Sequence, residues 1–133
     1  MLDAFAGSGA LGFEAASRGA AEVLLLDNDP VLVDSLRESR QRLDATALRV
    51  ERADAMAWMA RSAPARFELV LLDPPFDAEL AGLATAAAMR LLVEGGFLYV
   101  ESAEPPLEAL PGLTLHRSLR AGAVHAGLYL RAA

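Results

Sequence analysis

Short apolar runs alternate along the chain with stretches whose apolar residues recur at helical spacing. This alternation predicts a mostly parallel β-sheet with helices on both faces, because each strand is then buried between two helical layers. The apolar runs predict five strands and a closing hairpin, at Met1–Ala4, Val23–Asp27, Leu48–Glu51, Phe67–Asp73, Phe97–Glu101 and Leu113–Leu119 with Ala123–Leu130. Helices are predicted over Ala10–Arg18, from Pro30 onwards, over Ala55–Arg61 and over Ala78–Leu92.

Glycines and capping residues mark where these elements start and stop. Gly19 is expected to end the first helix and Gly95-Gly96 the last one, since glycine adopts the left-handed conformation that terminates helices. Asp29 followed by Pro30 has the pattern of a helix N-cap and a first helical residue. Ala121-Gly122, between the last two alternating runs, predicts the turn of a hairpin.

Composition limits the class of protein. The 133 residues fit one domain over residues 1–133, and the apolar content of 54% excludes a disordered chain. The apolar runs are too short to cross a bilayer and no signal peptide opens the chain, so we expect a cytoplasmic protein with no membrane partner. The absence of cysteine excludes disulfides, thiolate metal sites and cysteine nucleophiles. With only two histidines, no metal site is expected.

The charge bears on nucleic-acid binding. Twelve arginines, with no lysine, stand against eighteen acidic residues, which gives a net charge of −6. A free-standing nucleic-acid binder usually carries a basic surface. Any nucleic-acid role therefore requires a local basic patch, a further segment or a partner.

A glycine-rich turn follows the first predicted strand and opens the first predicted helix. Residues 7–12 read Gly-Ser-Gly-Ala-Leu-Gly and match the G-x-G-x-x-G pattern. Such a turn, at a helix N-terminus, holds either a dinucleotide or the methionine part of S-adenosylmethionine. Asp27, at the end of the second strand, can accept both ribose hydroxyl protons of either cofactor. The alternative is a bare strand–helix turn without a ligand.

Asp3 favours the second cofactor, and Asp54 is a further candidate for holding the adenine of either one. Asp3 precedes the turn, where its carboxylate can meet the methionine ammonium; the alternative is a hydrogen-bonded acid at a strand end. Asp54 can accept from an adenine amino group, while the Ala55 backbone N–H reaches a ring nitrogen. Asp54 is also a plausible N-cap, and both roles are compatible.

The tetrapeptide Asp73-Pro74-Pro75-Phe76 follows the fourth strand, at the sheet edge where ligands bind in doubly wound folds. An amine conjugated to a base is a poor nucleophile, because its lone pair is delocalised. Asp73 and the Pro74 carbonyl can each accept one N–H of such an amine and aim its lone pair at a methyl donor. Pro75 restricts the direction of that carbonyl, and Phe76 offers a face on which a flipped base stacks. The alternative is a Pro-Pro turn with a buried aromatic residue.

These residues resemble known methyltransferases. Asp-Pro-Pro-Phe is similar to the motif of S-adenosylmethionine-dependent amino-group N-methyltransferases, and residues 2–12 closely resemble the first motif of the RsmD family. Further similarity lies in residues 17–21, 70–76, 99–102 and 127–129, so the resemblance spans almost the whole chain. Members of the RsmD family carry a longer segment before the first strand than this chain has, which leaves RNA affinity and activity open.

The resemblance implies a class I methyltransferase fold, a three-layer αβα arrangement with strand order 3-2-1-4-5-7-6 and an antiparallel last strand. It implies methylation of the N2 amino group of a guanine in bacterial 16S rRNA, by a monomer acting on an assembling small ribosomal subunit. The residues implied to hold S-adenosylmethionine are Asp3, Phe5, Gly7, Ser8, Gly9, Asp27, Asn28, Asp54 and Ala55. Those implied to hold the target base are Asp73, Pro74, Pro75 and Phe76.

Three alternatives remain open at the level of sequence. The methyl acceptor could instead be DNA adenine, another RNA or a protein glutamine. The chain could be an inactive core that binds the cofactor and modifies nothing. The glycine spacing with Asp27 also fits a dinucleotide-dependent oxidoreductase, which leaves residues 73–76 without a role.

Several other residues are interpreted as structural. The arginines between residues 37 and 52 alternate with acids and predict a solvated face. Trp58 and Met59 are expected in the core. His116 and His125 are read as structural or exposed. Glu101 is read as a surface acid near the rim of the crevice, the alternative being a residue that helps hold the base or the cofactor.

Overall fold

The computed structural model describes residues 1–7, 9–73, 78–103, 105–106 and 109–132. Its strands are β1 (Leu2–Asp3), β2 (Val23–Asp27), β3 (Leu48–Arg52), β4 (Phe67–Leu72), β5 (Leu92–Ser102), β6 (Ala109–Leu110), β7 (Leu113–Ala121) and β8 (Val124–Arg131). Its helices are α1 (Ala10–Ser17), α2 (Pro30–Arg42), α3 (Ala55–Arg61) and α4 (Ala78–Leu91).

The strands form one sheet in the order β3-β2-β1-β4-β5-β8-β7-β6. Neighbours from β3 to β5 are parallel, whereas β8 runs antiparallel to β5 and to β7. The predicted class I order is confirmed, because β7 and β8 are the predicted sixth and seventh strands. The two-residue strand β6 at the edge was not predicted.

The chain leaves β1 towards β2 and β3 on one side and later returns to β4 on the other side. The segments that follow β1 and β4 therefore diverge, which opens a crevice at the carboxyl ends of these strands. The described candidate site residues come from this edge of the sheet.

Apolar side chains are buried on both faces of the sheet. On one face, α3 and α4 pack against the centre of the sheet, and Trp58 and Met59 are buried there as predicted. On the other face, Leu36 of α2 packs with Val23 and Leu25 of β2, and side chains of α1 pack against the same cluster. Among the described helices, none is long and apolar enough to cross a membrane.

The glycines at 95 and 96 do not end a helix, which corrects the prediction. Helix α4 ends at Leu91, and both glycines lie inside β5. Gly95 has a φ of +77°, and the pairing with β4 shifts register at this point, between Phe67 and Leu69. A Cβ on Gly96 would lie 2.9 Å from the carbonyl oxygen of Val93, so the irregular strand requires glycine there. A strand irregularity and a helix stop use the same residue, which is why the sequence pattern was misread.

The arginines between residues 37 and 52 are mostly exposed, as predicted, but three of them also hold secondary structure together. Arg37 and Arg40 of α2 donate to the carbonyl oxygens of Val50 and Leu48 in β3. Arg52 donates to the carbonyl oxygen of Asn28 at 3.4 Å.

Candidate active site

A cavity of about 670 Å³ opens at the carboxyl edge of the sheet. Its walls come from the segments that follow β1, β2, β3 and β4. They consist of Ala4, Phe5, Ala6, Gly7, Asp27, Asn28, Asp29, Leu32, Ala53, Asp54, Ala55, Met56 and Asp73. The structure thus brings seven of the predicted site residues into one cavity: Phe5, Gly7, Asp27, Asn28, Asp54, Ala55 and Asp73.

The glycine turn forms one wall, and its two described central glycines serve different purposes. Gly7 has a φ of +55°, and a Cβ built there would meet nothing within 4 Å, so its backbone faces open space that a ligand can enter. Gly9 has a φ of +80°, and its Cβ would lie 2.5 Å from Leu36 Cδ2. Gly9 therefore allows the turn to pack on α2 and does not line the cavity. Ser8 lies outside the described residues.

Asp27 is held by the backbone on both of its oxygens. Its Oδ2 accepts from Gly7 N–H at 3.0 Å, and its Oδ1 accepts from Asp29 N–H at 3.0 Å. Each carboxylate oxygen has a second lone pair, so both can still accept a bond from a ligand hydroxyl. The first of these bonds also ties the glycine turn to the end of β2.

Asp54 caps α3 as predicted. Its Oδ1 accepts from Ala57 N–H at 3.0 Å, and among the described residues its Oδ2 accepts no hydrogen bond. Ala55, the first residue of α3, lines the cavity next to it. The N–H of a first-turn residue has no partner within its helix, so a ligand can accept from it.

Asp3 is buried, with 3% of its surface exposed. Burial raises its pKa to about 7, and repulsion from Asp73 adds to the rise, while a hydrogen bond from the Phe5 backbone opposes it. Among the described residues, no arginine or histidine forms an ion pair with this carboxylate. A buried carboxylate without a cation is costly, so this position favours a positively charged ligand.

Asp73 follows β4 directly and lines the cavity. Partial burial raises its pKa, and repulsion from Glu101 raises it further. Since Leu72 of β4 pairs with Val100 of β5, Asp73 and Glu101 are the next residues along two neighbouring parallel strands. Pro74, Pro75 and Phe76 lie outside the described residues.

Glu101 lies in β5 beside the strand that leads to Asp73, at the carboxyl edge of the sheet. It is half-buried, and its Oε1 accepts from the Tyr99 hydroxyl at 2.8 Å. Burial and this bond raise the pKa of Tyr99 to about 12, so the phenol keeps its proton and orients Glu101. This proximity arises from the pairing of β4 with β5, which places Glu101 beside Asp73.

Leu32 and Met56 also line the cavity and were not predicted as site residues. Both lie in the first turn of a helix that starts at the carboxyl edge, next to Asp29 and Asp54. Apolar residues at such positions are equally typical of the core, so the sequence pattern did not distinguish them. In the described part of the chain, no group of three or more acidic or histidine side chains is placed to hold a metal ion.

Similarity to known proteins extends over nearly all of the chain. A family model described as Conserved hypothetical protein 95 matches residues 1–130. The chain is 38% identical over 140 residues to Ribosomal RNA small subunit methyltransferase D of Escherichia coli (strain K12), across 99% of this chain and 68% of that protein. The protein of the same name from Haemophilus influenzae is 35% identical over 138 residues, across 96% of this chain and 69% of its own length.

A solved structure resembles this one closely. That of yhhF from Escherichia coli superposes with a TM-score of 0.88 at 35% sequence identity. The superposition covers 99% of this chain and 75% of that chain.

Proposed function

We infer that this chain is an S-adenosyl-L-methionine-dependent rRNA methyltransferase. It belongs to the family of Conserved hypothetical protein 95 and of Ribosomal RNA small subunit methyltransferase D. Its proposed substrate is the exocyclic N2 amino group of a guanine in 16S rRNA. The observation that carries the proposal is the buried carboxylate of Asp3, which has no ion-pair partner among the described residues and lies beside the glycine turn and Asp73.

The cavity residues fit this cofactor. Asp3 would meet the methionine ammonium, and the open backbone at Gly7 would face the same end of the cofactor. Asp27 would accept the ribose hydroxyls through lone pairs that its two backbone bonds leave available. Asp54 Oδ2 would accept from the adenine amino group, and Ala55 N–H would donate to the ring. Phe5 and Asn28 would complete the wall.

When bound, the cofactor supplies a methyl group on a positively charged sulfur, so neither a metal nor a strong base is needed to activate the donor. Asp73 would accept one N–H of the target amine, and the Pro74 carbonyl would accept the other. Phe76 would stack on the base, with Pro75 fixing the segment. Holding the amine in this way can lower the barrier by several kcal/mol, on the order of the gains from orienting reactants.

The raised pKa of Asp73 suits a second task. The nitrogen must lose a proton as it gains a methyl group, and a carboxylate whose pKa is raised accepts a proton more readily. Glu101, held by the Tyr99 hydroxyl, repels Asp73 and so contributes to the raised pKa of Asp73.

A dinucleotide-dependent oxidoreductase is a poorer fit to the same cavity. A dinucleotide would bring a pyrophosphate towards Asp3, Asp73 and Asp29, and like charges repel strongly where water is excluded. The ammonium and sulfonium of S-adenosylmethionine carry the opposite charge.

The proposed assembly context is an immature small ribosomal subunit in the cytoplasm, with the protein acting as a monomer.

A labelled-methyl assay tests the proposal. The protein would be incubated with tritium-labelled S-adenosylmethionine and, separately, small ribosomal subunits, DNA and bulk protein. The expected result is label in 16S rRNA alone, recovered as N2-methylguanosine after digestion. Label in DNA or protein would show that the substrate is not rRNA. Cofactor binding without label in any acceptor would show that the chain is only a cofactor-binding core.

A further inference from the structure

Acidic residues are confined to the first part of the sequence, whereas arginines occur throughout it. Residues 1–108 contain all eighteen Asp and Glu residues and nine arginines, whereas residues 109–133 contain three arginines and no acid. The last segment forms β6, β7 and β8. The chain is therefore acidic overall but ends in a cationic hairpin, and this is the local basic patch that its net charge of −6 made necessary for any nucleic-acid role.

The hairpin tip, residues 117–125, is built to hold its cations in solvent. Gly122 has a φ of +61° and occupies the first of the two turn positions between the paired residues Ala121 and Val124, as in a type II′ turn. Every residue from 116 to 124 is exposed, so neither face of β7 is covered here by a described element. Leu119 and Val124 are exposed apolar residues at this tip, a feature typical of surfaces that are covered in a complex.

The two arginines of the hairpin tip form no ion pair with the described residues. Neither Arg117 nor Arg120 lies within 4.0 Å of a carboxylate of the described residues. Arg120 Nε donates to the Gly122 carbonyl oxygen at 3.0 Å, which keeps its guanidinium at the turn. Arg131, at the other end of the hairpin, instead donates to the carbonyl oxygens of Met89 and Leu92.

The hairpin tip lies at the same edge of the sheet as the cavity. Glu101, the neighbour of Asp73, pairs with Ala126, which pairs with Leu119. Arg117 and Arg120 thus flank a position three strands from Asp73, which is about 14 Å at the usual strand spacing. An RNA whose target base enters the acidic cavity would place the phosphates of adjacent nucleotides within reach of these guanidinium groups.

We propose that the hairpin tip binds the phosphate backbone of the RNA next to the target nucleotide, through Arg117 and Arg120. The inference rests on the proposed function for the identity of the polyanion. Asp3, Asp73 and Glu101 repel RNA phosphates, and the hairpin tip offers the opposite charge on the side of the cavity beyond β5. Arginine binds phosphate through several donors at once, so each of the two arginines can hold one phosphate.

The test compares the wild type with the double variant Arg117→Gln/Arg120→Gln. Binding to naked 16S rRNA and to small ribosomal subunits would be measured over a range of salt concentrations, and KM and kcat for methyl transfer on subunits would be measured in parallel. We expect the double variant to lower the slope of log K against log[salt] by about 1.4, since each phosphate contact to a single strand contributes about 0.7. We expect KM to rise roughly tenfold or more from the same loss, with kcat unchanged.

Three controls separate this outcome from damage to the fold. Arg42→Gln, an exposed arginine at the far end of α2, should behave as the wild type. Arg117→Lys/Arg120→Lys keeps both charges and should restore most of the salt dependence. Affinity for S-adenosylhomocysteine should be the same in all variants.

Each result bears on a different claim. A wild type that binds RNA with the same salt slope and KM as the double variant would overturn the inference and leave the proposed function intact. Weaker binding to subunits with unchanged binding to naked rRNA would assign the hairpin tip to a ribosomal protein, which also overturns it. RNA binding that depends on both arginines, without methyl transfer by the wild type, would overturn the proposed function alone.

Discussion

On the side of the cavity formed by β2 and β3, Asp27 and Asp54 each accept hydrogen bonds from backbone N–H groups. On the side formed by β1, β4 and β5, Asp73 and Glu101 repel the buried carboxylate of Asp3, and the pKa values of Asp3 and Asp73 are raised. On the first side, backbone N–H groups already stabilise the carboxylates, so this side suits neutral donors such as hydroxyl and amino groups. The second side carries unbalanced negative charge and suits a cation.

This difference predicts that the two sides of the cavity hold a ligand in different ways. Backbone-held carboxylates position a ligand precisely at little electrostatic cost, because their charge is already solvated by N–H dipoles. Carboxylates that repel one another destabilise the folded protein, and a positively charged ligand or a proton relieves the repulsion. Four substitutions test the contrast, beginning with the largest expected effect.

Asp73→Ala should abolish most of the activity. It removes the acceptor proposed for the target amine, so methyl transfer to subunits should fall by roughly 10²-fold or more, in the range of other general acid–base losses. Affinity for S-adenosylhomocysteine should not weaken, since Asp73 is assigned to the base. Asp34→Ala, an exposed acid on α2, is the matched control. If Asp73→Ala retains wild-type methyl transfer, Asp73 has no role in the reaction.

Asp3→Asn should change how stability depends on pH. Because the pKa of Asp3 is raised to about 7, the folded protein binds a proton here more tightly than the unfolded chain does. Stability from this group is therefore lost as pH rises from about 4 to 7, by an amount on the order of 4 kcal/mol.

Asp3→Asn has no such titration, so its advantage in stability over the wild type should be largest at pH 8 and clearly smaller at pH 5. Urea unfolding at both pH values measures the difference, with Asp34→Asn as the control. Parallel pH profiles for wild type and Asp3→Asn would show that Asp3 is not a strained carboxylate. The variant should also bind S-adenosylhomocysteine more weakly.

Asp27→Ala should damage both stability and binding. It leaves the N–H groups of Gly7 and Asp29 without their acceptor, so the free energy of unfolding should fall by about 1–3 kcal/mol. Cofactor affinity should fall as well, because the ribose loses both acceptors and the glycine turn loses its tie to β2. Calorimetry and urea unfolding measure the two effects. Asp27→Asn, which keeps one acceptor oxygen, should fall between wild type and Asp27→Ala.

The smallest effect is expected at Asp54, where helix capping can be separated from cofactor binding. Asp54→Ala removes the cap of α3 and should lower stability by about 1 kcal/mol. Asp54→Ser restores a capping oxygen, so stability should recover. The serine cannot also reach the adenine amino group, so cofactor affinity should stay low in both variants. Full recovery of affinity in Asp54→Ser would mean that Asp54 only caps the helix.

The sequence predicted most of the sheet because its signals were local and consistent. Asp29 with Pro30 and Asp54 before Ala55 marked helix starts that the structure confirms. The alternation around Ala121-Gly122 placed the hairpin correctly. The misread element was β5, where Gly95 and Gly96 serve a strand irregularity, because glycine freedom does not reveal which backbone shape uses it.

The site was less predictable on its acidic side. Asp27 and Asp54 follow strands in an order that motif spacing captures. Glu101 was read as a surface acid, since its closeness to Asp73 arises from the pairing of β4 with β5 and from the Tyr99 bond. Repulsion among residues that lie 28 and 98 positions apart leaves no mark in a local pattern.

The most direct test is titration of the protein with S-adenosylhomocysteine at pH 7 in two buffers of different ionisation enthalpy. The ammonium of this ligand should draw Asp3 into its ionised form, and with a pKa of about 7 that group starts half protonated. Binding should therefore release about half a proton per site, with no release in Asp3→Asn. Absence of binding, or binding without proton release in the wild type, would contradict an acidic cavity built for a cationic cofactor.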